Sequence, residues 1–129
     1  MIAAVRTTDG VMLVDVDEET IIGPGELVPE EPAPNVPLPR VVAAAQAGAT
    51  IVAVVERRPP LAISSDGGST WREAGGGLPA GFAVAIAEDD PDRMLYAARN
   101  RLYVSSNGGI FWRALALELP DIEACAWID

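Results

Sequence analysis

The sequence predicts an all-β protein, and three observations carry that prediction. Apolar residues come in short runs of about four to seven. Gly, Pro, Asp and Asn break those runs, and no stretch carries an apolar stripe of 3.6-residue period. With 129 residues there is room for one domain and a modest core. Half the residues are hydrophobic but only 5% are aromatic, so small and β-branched side chains must build that core.

In chain order, MIAAVRT (1–7) reads as a strand, TTDG as a turn, VMLVDVD (11–17) as a strand and TIIGPGELV (20–28) as another. Residues 23–39, GPGELVPEEPAPNVPLP, hold six of the eleven prolines. Proline removes donors and favours extended chain, so this stretch reads as a linker, either a passive spacer or a Pro-rich recognition segment. Four strands follow: VVAAA (41–45), IVAVVE (51–56), LAISS (61–65) and TWREA (70–74). Four more follow them: FAVAIA (82–87), MLYAAR (94–99), LYVSS (102–106) and IFWRALA (110–116), with Glu88–Arg93 as the first connection. EACAWID (123–129) is a first strand with nothing after it.

The last two sets are a repeat. SSDGGSTW (64–71) falls on SSNGGIFW (105–112) at an offset of 41 residues, and the flanks keep the register: Leu78-Pro79 falls on Leu119-Pro120. A four-stranded unit of about 40 residues is a propeller blade. The octet closes a tight hairpin between third and fourth strands. Gly68 supplies positive φ, Asp66 bonds nearby backbone N–H groups, and Trp71 lies on the blade. Thr70 is replaced by Phe111 in the second copy and Asp66 by Asn107, so that turn is expected to be slightly degraded.

These octets resemble the Asp-box, or BNR, repeat of sialidases, of the sortilin luminal domain and of photosystem-assembly propellers. Ser64, Asp66, Gly68, Thr70 and Trp71 match it fully; Ser105, Asn107, Gly109 and Trp112 match with the two departures just named. DDPDRMLYAARNRLYVSSNGG (89–109) also resembles the family's usual run into its box. The resemblance covers 40–129 and implies a propeller in which the box is structural and lies away from the catalytic face.

Domain organisation follows. Residues 40–79 and 80–120 are Asp-box blades, and 1–28 together with 123–129 make a worn, permuted blade, with 23–39 linking it onward. That is three blades in 1–129, whereas closed propellers typically need four to eight. The expectation is a C2 homodimer forming one six-bladed ring, with 123–129 of one copy completing the N-terminal blade of the other. The alternative is a fragment of a longer propeller.

Charge and composition exclude several functions. The net charge of −10 argues against a nucleic-acid partner. No histidine is present, which removes His-based catalysis and His-ligated metal. No apolar run is long enough to cross a bilayer, so no membrane partner is expected. A lone cysteine, Cys125, and no basic leader fit a reducing, cytoplasmic setting. All nine basic residues are Arg, from codon bias or from a preference for guanidinium.

Candidate ligand-binding residues are Arg57, Arg58, Arg99 and Arg101. They fall in turns between second and third strands, on one face of the ring, with Arg6 at the matching edge. Guanidinium pairs bidentately with carboxylates, so an anionic protein or glycan could dock there. Alternatively they are solvated turn residues neutralised by Glu26, Glu30 and Glu31. The acids Glu88–Asp92 lie on the opposite face, as a solvated turn or a calcium site. Cys125 reads as a buried small residue rather than a nucleophile. The resemblance to sialidases implies a carboxylate-binding Arg set, a Tyr–Glu pair and an Asp acid/base. Tyr96 and Tyr103 fit packing better, and no segment matches the catalytic signatures. The sequence thus predicts a binding scaffold, more readily non-enzymatic than not, with no catalytic residue, metal or cofactor assigned. A glycan-binding or sialidase-type propeller with its site across a dimer is the alternative.

Overall fold

The computed structural model describes residues 1–26 and 33–128. Among these residues no helix forms, and twelve strands make three four-stranded antiparallel sheets. Sheet I contains β4 (Val41–Ala47), β5 (Thr50–Val55), β6 (Leu61–Ser64) and β7 (Arg72–Ala74). Sheet II contains β8 (Ala83–Ala87), β9 (Asp90–Ala97), β10 (Arg101–Ser105) and β11 (Arg113–Glu118). Sheet III runs β12 (Ile122–Trp127), β1 (Ile2–Thr7), β2 (Gly10–Asp15) and β3 (Thr20–Pro24).

Sheet III corrects one expectation. The last strand does not cross to a second copy: β12 pairs with β1 of its own chain, from Ala3 opposite Trp127 to Thr7 opposite Ile122. The Ile128 N–H donates to the Ile2 carbonyl at 3.1 Å and the Thr8 N–H to the Asp121 carbonyl at 3.0 Å, so both ends of the strand are tied in. The linker explains why this is possible. From Gly25 to Arg40 it is far longer than the link between β11 and β12, and an extended chain gains about 3.3–3.6 Å per residue. Residues 1–24 can therefore reach their own tail. Residues 27–32 of that linker lie outside the described residues. From Ala33 to Pro39 exposed and half-buried residues alternate, as in an extended segment with Pro34, Val36 and Leu38 turned toward the protein.

Two hydrophobic cores join the sheets in the order I–II–III. Val52, Val54, Leu61 and Ile63 of sheet I pack on Val84, Met94, Tyr96 and Ala98 of sheet II. The other face of sheet II, with Ala85, Leu95, Leu102, Val104 and Leu115, packs on Ala3, Val5, Val14 and Cys125 of sheet III. The period of two along each strand makes this possible: alternate residues of sheet II serve alternate neighbours. No core cluster among the described residues joins sheet III back to sheet I. The innermost strands carry Ala43–Ala45, Ala83, Ala85, Ala124 and Ala126, small side chains where sheets converge.

Several strand boundaries differ from the sequence expectation, chiefly in sheet II. The connection placed at Glu88–Arg93 shrinks to Glu88 and Asp89, because β9 begins at Asp90 and pairs it with Ala87. The fourth strand of sheet II begins at Arg113, since Ile110–Trp112 belong to the preceding turn.

Candidate functional site

Both octets form the same hydrogen-bonded turn. In the first, the Ser64 hydroxyl donates to Asp66 Oδ1 at 2.7 Å and accepts from the Gly68 N–H at 2.8 Å. Asp66 Oδ1 also accepts from the Thr70 N–H at 2.9 Å, and Oδ2 accepts from the Thr70 hydroxyl at 2.6 Å. The Thr70 hydroxyl, then its N–H, then Ser64 hold the Asp66 carboxyl down at about 2. Gly67 and Gly68 have φ of 73° and 99°, which an L side chain adopts only under strain. Trp71 closes the turn, its Nε1–H donating to the Gly68 carbonyl at 3.1 Å.

The second turn repeats these bonds with one loss. Ser105 donates to Asn107 Oδ1, Gly109 N–H donates to Ser105, and Phe111 N–H donates to Asn107 Oδ1, at 3.0, 2.9 and 3.0 Å. Trp112 Nε1–H reaches the Gly109 carbonyl at 3.0 Å. Phe111 has no hydroxyl to offer Asn107, and its ring stands 76% exposed. The Ser, Asp or Asn, and Trp side chains bond within their own turn, and the Gly67 and Gly108 N–H groups tie the turns to the Ala49 and Asp92 carbonyls, so the octets act as hairpin closures.

The opposite end of the sheets carries the arginine turns. The turn of sheet II sits against the link to β12: the Leu119 N–H donates to the Asn100 carbonyl and the Ile122 N–H to the Arg99 carbonyl. That contact supplies acids. Arg99 pairs with Asp121 at 3.3 Å, Arg101 with Glu118 at 3.2 Å, and Arg6 with Glu123 at 3.4 Å. The partners thus run from the end of β11 through the link into β12, where linker acids were the candidates; Glu30 and Glu31 lie outside the described residues. At the octet end, Arg113 pairs with Glu19 at 3.5 Å, Arg93 with Asp89 at 3.6 Å, and Arg72 bonds the Gly108 carbonyl.

Arg57 and Arg58 differ. They are exposed in the turn of sheet I and carry no ion pair among the described residues. Arg58 lines a cleft of about 320 Å³ with Pro59, Pro60, Gly76, Gly77 and Leu78. Sequence reasoning missed Arg40, which joins them: its carbonyl accepts from the Glu56 N–H at 3.0 Å. The available signal was an arginine standing immediately before the first strand of sheet I. The four predicted arginines are therefore not equivalent. Two sit in ion pairs, and two stand with Arg40 at one corner of sheet I.

The remaining reactive groups are packed away. Tyr96 is fully buried, its hydroxyl donating to the Pro79 carbonyl at 2.5 Å; burial and then Tyr103 push its phenol up to about 12. Tyr103 and Trp112 meet its ring edge-on at 6.0 and 5.9 Å between centroids. Burial alone pushes the Cys125 thiol up to about 12. Neither group is poised as a nucleophile at neutral pH. Asp90 and Asp92 lie in β9, and among the described residues no group of three acids or cysteines is placed to hold a metal ion. No helix among them is long and apolar enough to cross a membrane.

No protein-family model matches the chain, and no curated protein matches it. Among solved structures it is similar to a GH74 enzyme of Niastella koreensis. The TM-score is 0.52 and the identity 19%, over 92% of this chain and 18% of that one. The chain thus spans under a fifth of that enzyme's length. The likeness concerns fold, and it shows the three sheets to be β-propeller-like.

Proposed function

We propose that the chain is a non-enzymatic binding scaffold whose octets are Asp-box turns and whose three blades are completed to six by a second copy. One observation carries the reading: an internal quasi-equivalence of sheet faces. Ala45 and Val52 of sheet I are cross-strand partners and face sheet II. Ala85 and Leu95 are the same pair in sheet II and face sheet III. In sheet III the corresponding pair is Ala126 and Ala4, with Leu13 beyond it. These point away from sheet II, because Val5 and Cys125 beside them point toward it. Sheet III thus keeps in part the surface that sheets I and II bury against their successors: Ala126 and Leu13 are half-buried while Ala4 is already 1% exposed, and the successor in a ring is sheet I of another copy. Val41, 36% exposed and paired with Val55 on the side away from Val54, marks the receiving face of that sheet. Its neighbours Ile51, Ala53 and Ala62 are already buried within one chain, so closure must displace whatever shields them.

The correction to the last strand changes how the ring is held. With β12 at home in its own sheet, the two copies meet through sheet faces alone. Light scattering on a sizing column tests this. Twice the chain mass of 13.5 kDa supports the scaffold as drawn, and a monomer at every concentration refutes its ring.

The non-enzymatic part rests on the disposition of polar groups: buried Tyr96 and Cys125, and paired Arg6, Arg99 and Arg101. A glycan-active propeller would need an unpaired acid pair across its channel. Turnover of fluorogenic glycosides or sialosides would replace the scaffold reading with that one.

A further inference from the structure

We infer that the corner of sheet I formed by Arg40, Arg57, Arg58 and the cleft beside them binds an extended acidic peptide segment of a partner protein. The first observation is selective charge. The chain has 19 acids to nine arginines, yet Arg40, Arg57 and Arg58 gather at one place without ion pairs among the described residues. Glu56, exposed between β5 and Arg57, is the one acid in that run.

The second observation is backbone conformation. Among the described residues, two other than glycine have positive φ: Glu19 at 55° and Arg40 at 59°. Such positions favour glycine, so a long side chain there is kept at a conformational cost. For Glu19 the reason is visible. Its carboxylate accepts from the Ala116 N–H at 2.8 Å and pairs with Arg113. Arg40 has no such contact among the described residues. That leaves its side chain available to a partner.

The third observation is shape. Pro59, Pro60 and Leu78 wall the cleft, and Gly76 and Gly77 floor it; a Cβ on either glycine would meet nothing within 4 Å. Of the three arginines only Arg58 lines the cleft. A ligand engaging all three must extend beyond it, as a peptide does and a small carboxylate does not. An apolar residue or proline would occupy the cleft while flanking carboxylates take the guanidinium forks. Nucleic acid fits less well, for no aromatic ring is among the residues that line the cleft, so it offers no platform for base stacking.

This rests on the scaffold reading but not on the ring, so the two fail separately: a monomer that binds the peptide sinks only the ring. The probe is a fluorescein-labelled hexapeptide of glutamate and proline, followed by anisotropy with the full chain, beside an alanine-for-glutamate analogue. Binding of the acidic peptide alone is expected, weakened about 10-fold or more by R57A/R58A and unaffected by R99A/R101A. Amide shifts should centre on Gly76, Gly77 and Leu78. R40G supplies the sharpest control, because it relieves the backbone: it should unfold at equal or higher temperature yet bind several-fold more weakly. Equal weakening by R99A/R101A overturns the assignment. So does full binding by R40G and R57A/R58A together, an absence of peptide binding, or preference for an oligonucleotide or anionic vesicle at the same residues.

Discussion

Adding one methyl group at Gly81 tests how tightly sheets I and II are locked. A Cβ there would overlap the Cζ and hydroxyl of Tyr96 and stand 2.5 Å from its Cε2. The ring cannot retreat easily, since its hydroxyl is bonded to Pro79 and its edges meet Tyr103 and Trp112. Gly81 is not among the glycines with positive φ, so alanine fits its backbone and the steric clash stands alone. Overpacking of this kind costs about 1–3 kcal/mol. In a domain of this size that lowers Tm by roughly 4 °C per kcal/mol.

The cause is isolated by a cycle. Y96L removes the ring end and hydroxyl that the methyl would strike, at its own cost of about 2–4 kcal/mol. In that background G81A should cost no more than about 0.5 kcal/mol, leaving a coupling of roughly 1–2.5 kcal/mol. Urea unfolding followed by tryptophan fluorescence at one protein concentration gives all four corners, provided the m-values agree. An equal G81A penalty in both backgrounds refutes the packing described here.

Three further outcomes are expected. Asp66 titrates near 2 in the fold against 3.8 unfolded, so its stabilising charge is complete above about pH 4 and is lost as pH falls toward 2. The urea midpoint of wild type minus that of D66N should shrink across this window, and a constant difference from pH 6 to 2 would remove the carboxylate from the turn's energetics. N107D/F111T rebuilds the full turn in sheet II and withdraws an exposed ring; a Tm gain corresponding to about 0.5–1.5 kcal/mol is expected by scanning calorimetry, and a loss counts against the turn's role. Cys125 should resist Ellman's reagent in the native protein and react at once in 6 M guanidinium, because its thiol is buried and held up to about 12; rapid native labelling contradicts its place in the core.

Local chemistry was legible in the sequence where one segment decides its own shape. The octets fix a turn because Ser, Asp or Asn, the second glycine and Trp make their side-chain bonds within eight residues. Strands β5 and β6 are plain from Val and Ile between Pro and Gly. The partner of β12 was not legible. An edge strand presents the same donors and acceptors to its own chain as to a copy, and only the reach of the 25–40 linker decides. The acids facing Arg99 and Arg101 were hidden for a similar reason: Asp121 meets Arg99 only because the link to β12 lies on the turn before β10. Arg40 was hidden because nothing in its neighbours announces a positive φ.

The alanine-rich inner strands connect composition to assembly, and they yield the most decisive test. Ala85 is buried against sheet III, and leucine there should cost about 1–3 kcal/mol by overpacking. Ala126 occupies the same place in sheet III and is half-buried beside the buried Ala4, but no core cluster among the described residues packs a sheet on its face. Leucine at 126 should therefore leave the unfolding free energy of a dilute sample within about 0.5 kcal/mol, the range of surface changes. In a six-bladed ring the same leucine would sit in a contact made for a methyl group, twice over by symmetry, and would drive the protein to monomer. A85L and A126L thus separate folding from assembly. If A126L destabilises the chain as A85L does, the outer face of sheet III is already packed within one copy, and no second copy has room to close on it.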